Sequence, residues 1–151
     1  MKICRGRTRI AIVTRKVTIL FPRLRPYPSI ENRELHHPIQ RGINKNRVEA
    51  RTSQALREIS VPTHFSFFGI FNVRATAQAH SLTGYTIIDA IAARIGEETL
   101  EGSSHAWTNN NFGIHNGRLK FSDYGNAEAN RIMQAHQSVI RTVLDSLIPP
   151  T

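Results

Sequence analysis

The stretch NNNFGIHNGRLKFSDYGNAEA, Asn109 to Ala129, gathers the side chains of this sequence best suited to holding a charged ligand. Asn110 and Asn111 precede a short apolar run, Asn116-Gly117 marks a tight turn, and a second strand-like run leads straight into Asp123, Tyr124 and Gly125. Carboxylate and amide oxygens are hard donors of the kind Mg²⁺ takes in octahedral geometry, sharing one or two carboxylates with substrate phosphates. A turn at Asn116-Gly117 folds the two strands together and would bring Asn111 toward Asp123. The plainer alternative is a surface hairpin in which Asp123 and Asn126 serve only to open the next helix as caps.

Other elements must position this hairpin. Thr8–Thr14 and Val17–Phe21 are β-branched and apolar, and they predict a hairpin turning at Arg15-Lys16. PRLRPYPSIENRELHHPIQRGINKN holds four prolines and no sustained period, so it reads as a loop or an ordered insertion. NRVEARTSQALREI puts Val48, Ala55, Leu56 and Ile59 on one helical stripe, closed by Pro62. HFSFFGIFNV reads as a buried strand bent at Gly69, and YTIIDAIAARIG as a helix carrying Tyr85, Ile88, Ile91, Ala92 and Ile95. NAEANRIMQAHQSVIRTVLDSL predicts one long helix, with Ile132, Met133, Ile140, Val143, Leu144 and Leu147 on a single face. Strands, helix, strand, helix, hairpin and helix in that order make an α+β pattern built on a small antiparallel sheet.

The bulk properties bound the function. A chain of 151 residues is long enough for one domain with a real core. No segment approaches the ~20 apolar residues that span a bilayer, so no membrane partner is expected. The basic N-terminus lacks a signal-peptide core, and the default compartment is cytoplasmic. A lone cysteine, Cys4, excludes an internal disulfide and a cysteine-based zinc cluster. Charge is uneven: residues 1–51 hold 13 Lys and Arg against 3 acids, and residues 52–151 hold 7 against 8. Such asymmetry suits an anionic partner for residues 1–51: nucleic acid, an acidic protein surface or a nucleotide phosphate chain.

The element order, taken with LKFSDYG, resembles the protein-kinase-like fold. VTILFP resembles its lysine-bearing strand, Glu49 in NRVEART stands where its helix glutamate would be, SHAWTNNNFGI resembles its catalytic loop, and GRLKFSDYG its metal-binding strand end. HAWTNNNFGI and DYG are also similar to the selenoprotein-O family, kinase-like enzymes that transfer AMP, and to phage kinase-like proteins. The resemblance implies a single kinase-like domain over 1–151. Its basic N-lobe-like part is 1–83, its helical C-lobe-like part 84–151, and its C-terminal lobe is truncated.

The same resemblance implies ATP and Mg²⁺ as cofactors. Asn111 and Asp123 would hold the metal, and Glu49 would orient a basic phosphate contact. His105 and Asp123 are the candidate catalytic residues, His105 as a proton acceptor. The clamping lysine is replaced by Leu20, and Lys16, Arg15, Arg23 or Arg25 are the cations that could stand in for it. Trp107 occupies the position of the catalytic base, and no glycine-rich loop precedes the hairpin. These departures predict a nucleotide-binding protein that is a phosphoryl or nucleotidyl transferase, or a catalytically degenerate, pseudokinase-like relative. The competing expectation is a small basic protein of a viral kind that binds nucleic acid or an acidic partner.

Overall fold

The two β-branched runs form the centre of a five-stranded antiparallel sheet. The computed structural model describes residues 1–6, 8–24, 38–82, 85–101, 107–124 and 126–150. Strands β1 (Lys2–Arg5), β2 (Arg9–Val13) and β3 (Val17–Pro22) make a meander, with Arg15 and Lys16 at the predicted turn. β3 then pairs with β5 (Phe71–Ala75), and β4 (Thr63–Phe67) closes the edge, giving the order β1-β2-β3-β5-β4.

The segment expected to be one buried, bent strand is instead the β4–β5 hairpin. Phe68 and Gly69 both have positive φ, 49° and 80°, and Ile70 N–H closes the turn on the Phe67 carbonyl at 2.8 Å. Phe65, Phe67, Phe68 and Ile70 are exposed there. Aromatic content signalled burial, but these side chains stand on the outer face and tip of the sheet, where Phe67 stacks on Phe71 at 5.7 Å between ring centres.

Helix α1 (Pro38–Thr52) packs on β3, β4 and β5. It begins earlier than its apolar spacing predicts and ends earlier too. Pro38 suits the first helical turn, where its missing N–H costs nothing. Gly42 lets the helix approach the sheet: a Cβ there would meet the Thr8 carbonyl oxygen at 2.6 Å and Pro22 Cα at 2.7 Å. Past Thr52 the chain continues in turns, and residues 59–61 then pair with the second sheet. Phe121 N–H donates to the Ile59 carbonyl at 2.8 Å, and Val61 N–H to the Phe121 carbonyl at 2.9 Å. Of the expected stripe, Leu56 and Ile59 are wholly buried, from turns rather than from a helix, whereas Val48 is half-buried and Ala55 exposed.

The second sheet is the predicted hairpin, β6 (Phe112–His115) and β7 (Arg118–Phe121), turning at Asn116 and Gly117 with φ of 51° and 69°. That is the primed turn Asn-Gly favours. Its other edge bonds Gln78 through two 2.8 Å backbone hydrogen bonds with Ile114, so the hairpin is held on both sides. Around it lie α2 (Thr86–Ile95), the short α3 (Glu97–Leu100), α4 (Ala127–Ala135) and α5 (Gln137–Leu147). α4 and α5 are two helices where one was expected, with His136 between them in a non-helical conformation. Their apolar face is nevertheless as predicted, with Ile132, Met133, Ile140, Val143 and Leu144 buried and Leu147 partly so. These residues join Ile87, Ile91, Trp107, Phe112, Phe121 and Tyr124 in the main core. The fold is α+β, and among the described residues no helix is long and apolar enough to cross a membrane.

Candidate functional site

Arg9 opens β2, directly across from Pro22 on β3, and its side chain lies on the sheet face turned toward α1 and the β6–β7 hairpin. Glu49 sits in the last turn of α1 with its side chain wholly buried. Asp123 stands two residues beyond the end of β7. These three elements converge on one guanidinium: Arg9 Nη1 bonds Glu49 Oε2, and Arg9 Nη2 bonds Asp123 Oδ1. Nη1 also donates to Asn46 Oδ1 at 3.2 Å. The second oxygen of Glu49 accepts from Arg74 Nη1 of β5 at 3.1 Å.

Packing fixes this chain of charges. Asn46, wholly buried on α1, donates to the carbonyls of Leu20 at 3.3 Å and Gly69 at 2.9 Å, and its own carbonyl accepts from Asn72 of β5 at 2.8 Å. The helix therefore cannot rotate without breaking polar contacts to two strands and a turn, and Glu49 is held one helical turn further along. Burial works against the charge on Arg9, but Glu49 and Asp123 outweigh it and raise the guanidinium above its usual range. Arg9 stays charged throughout the pH range of a folded protein.

On the hairpin side, the Asn111 carbonyl accepts from Ser122 N–H at 2.6 Å, from the Ser122 hydroxyl at 3.0 Å and from Asp123 N–H at 3.3 Å. The main chains of Asn111 and Asp123 thus meet, as the turn between them predicted. Tyr124 turns inward: it is wholly buried, its hydroxyl donates to the Val61 carbonyl at 2.6 Å and lies 2.8 Å from the Thr63 hydroxyl. The cap of α4 is Asn126, whose Oδ1 accepts from Glu128 N–H at 3.0 Å and Ala129 N–H at 3.1 Å. Asn126 performs the capping, which leaves Asp123 with a different role.

Between the sheet and the hairpin lies a cleft of about 540 Å³, lined by Thr8, Arg9, Leu20, Lys45, Arg74, Asn110, Asn111 and Asp123 among others. Of its described lining residues, Arg9, Lys45 and Arg74 are cationic and Asp123 alone is anionic. Sequence reasoning missed Arg9, Arg74 and Lys45. Arg9 was indistinguishable from its basic neighbours because its partners lie 40 and 114 residues away.

The other nominated residues fall elsewhere. Lys16 does not meet Glu49; it is exposed at the β2–β3 turn and lines a separate cleft of about 410 Å³ with Arg15, Thr76, His115 and Asn116. Arg23 donates to the Gly6 carbonyl at 3.1 Å. His105, Arg25 and Gly125 lie outside the described residues. Leu20, at the clamping-lysine position, is buried opposite Ala11 and Asn72. Trp107 is wholly buried and stacks on Phe121 at 6.0 Å, a core role rather than a proton-handling one.

Mg²⁺, the metal the resemblance implies, needs hard oxygens whose negative charge is available to it. Here Asp123, the one carboxylate among the described lining residues of the cleft, is engaged by Arg9. Like charges a few ångströms apart repel, so Arg9 on Asp123 opposes a cation at the same carboxylate. In this arrangement the Asp123 carboxylate is already paired with a guanidinium, which counts against a resident Mg²⁺ ion on it. No family model matches the chain, and no match is found among curated proteins or solved structures.

Proposed function

We propose that this is a divergent kinase-like domain that binds a nucleotide in the cleft between its sheet and its β6–β7 hairpin, in a catalytically degenerate form. One observation carries the reading: the helix glutamate and the strand-end aspartate singled out by the resemblance, Glu49 and Asp123, meet on a single cation, Arg9. The resemblance calls for a cation that ties the helix to the sheet at the mouth of a phosphate site. Arg9 fills that role from β2, one strand away from the vacated position at Leu20. Arg9, Arg74 and Lys45 against Asp123 and the buried Glu49 leave the cleft a positive balance of the sign a phosphate chain requires. Phosphoryl or nucleotidyl transfer is the reaction class the resemblance implies, and buried Trp107 at the base position supports binding over turnover.

Thermal unfolding with ATP, ADP and adenosine tests the reading. A nucleotide at 100 times its dissociation constant should add about 2.7 kcal/mol of stability. Adenosine, which lacks phosphates, should add far less. A melting temperature unmoved by millimolar ATP or ADP under every metal condition would remove the reading.

A second reading, a polyanion-binding protein, is favoured by the exposure of Lys2 and Arg5 on the edge strand, Arg15 and Lys16 at the turn, and Arg41, Arg47 and Arg51 on α1. Contacts of this kind are sequence-independent and weaken steeply with salt. Heparin or DNA retention at ~50 mM salt, lost near physiological salt, would support it. Flow-through at low salt would dismiss it.

A further inference from the structure

We infer that the cleft takes its phosphorylated ligand without a divalent metal, Arg9 occupying the place on Asp123 where a metal ion would sit. The inference rests on the nucleotide reading above and specifies how that site handles charge. An Mg²⁺ ion in such a site has two tasks: to satisfy the aspartate and to neutralise phosphate oxygens. Arg9 already performs the first, because its Nη2 bonds Asp123 Oδ1. It is also equipped for the second. A guanidinium carries five N–H donors, and the bonds to Asn46, Glu49 and Asp123 use three of them. One Nη2 hydrogen and the Nε hydrogen remain, on a residue that itself lines the cleft.

The surroundings favour the same assignment. Arg9 is only 8% exposed, so its charge is poorly screened by water. Arg74, itself paired with Glu49, and Lys45 line the same cleft, so its cations outnumber the carboxylates they meet. A polyphosphate stripped of its metal carries more negative charge than its metal complex, and it therefore suits a cleft richer in cations. The shared chemistry recognised is a di- or triphosphate group. A nucleoside and an inorganic polyphosphate are the two sources that could present it.

The experiment uses the full chain and compares ATP, ADP and inorganic triphosphate, each in excess EDTA and in excess Mg²⁺, by thermal unfolding and calorimetric titration. The expected result is stabilisation in EDTA at least as large as in Mg²⁺. Stabilisation by ATP but not triphosphate identifies a nucleotide as the source, and equal stabilisation by both identifies the phosphate chain alone. A shift that appears only with Mg²⁺ overturns the inference while leaving the nucleotide reading standing, whereas no shift under either condition removes both. Asp123→Asn supplies an independent sign. Removing the only anion among the described lining residues should tighten ATP binding in EDTA, roughly threefold or more, where a metal-holding aspartate would give a loss. Arg9→Lys keeps the charge but loses the fork, and it should weaken ATP binding in EDTA. Because Asp123 is 41% exposed at its side chain, its variant should fold even if the Arg9 variant does not. Weakened binding by Asp123→Asn in EDTA overturns the inference.

Discussion

The carboxylate of Glu49 is wholly buried and divides its two oxygens between Arg9 and Arg74, so one helix residue is tied to two different strands of the sheet. Neither arginine is well exposed: their side chains are 9% and 14% accessible. A charge cluster this dry is sustained by mutual pairing, and deleting one member strands the others. Glu49→Ala should therefore destabilise the fold by about 3–5 kcal/mol, as loss of one partner of a buried pair does. Urea unfolding measures this. A change under about 1 kcal/mol would mean the pair is solvated and contributes as little as a surface salt bridge.

Leu144 tests the helical core. It is wholly buried on α5 among residues of α2, α4 and the β6–β7 hairpin. Leu144→Ala should cost about 2–5 kcal/mol, the spread reflecting how far the site can collapse. An unchanged melting temperature would show that α5 is not docked as described.

Tyr124 gives a pH signature. Burial, and then the negative charge of Glu49, raise its hydroxyl above the ordinary tyrosine value, with hydrogen bonds from Ser53 and Thr63 working the other way. The folded state thus keeps a proton that the unfolded chain loses near pH 10. Its contribution to stability is complete below that pH and is lost as pH rises through the folded value. Tyr124→Phe removes the donor to Val61 and should cost about 1–3 kcal/mol near pH 8. The gap between the two proteins should narrow above about pH 10, because only the tyrosine ionises. A gap that stays constant to high pH would contradict the placement of this hydroxyl.

Phe68 is a liability built into the β4–β5 turn. Its φ of 49° is a left-handed conformation that costs a bulky residue roughly 1–2 kcal/mol. The side chain is 73% exposed, and its ring meets Phe67 edge-on at 5.0 Å between ring centres. Asn tolerates that conformation and prefers the position before Gly in primed turns. Phe68→Asn should raise stability by up to about 1 kcal/mol in urea unfolding, and a clear loss would mean that the edge contact with Phe67 outweighs the backbone strain.

Local chemistry explains what was legible in the sequence alone. Asn116-Gly117 announces its own turn because both residues accept positive φ, and the hairpin register follows from it. The Arg15-Lys16 turn between two β-branched runs, the helix at Thr86–Ile95, the apolar face from Ile132 to Leu144 and the pairing of Asn111 with Asp123 are short-range in the same sense. At Phe68-Gly69 the same kind of turn was hidden, because a phenylalanine there disguises the backbone it adopts. Tertiary pairing decided the use of Ile59, whose carbonyl serves β7 rather than the helix that its apolar spacing suggested. It also selected Arg9 from a crowd of basic residues. A charge carries no sequence signal of its partner, and Glu49 and Asp123 reach it only because α1 and the β6–β7 hairpin fold against the same sheet.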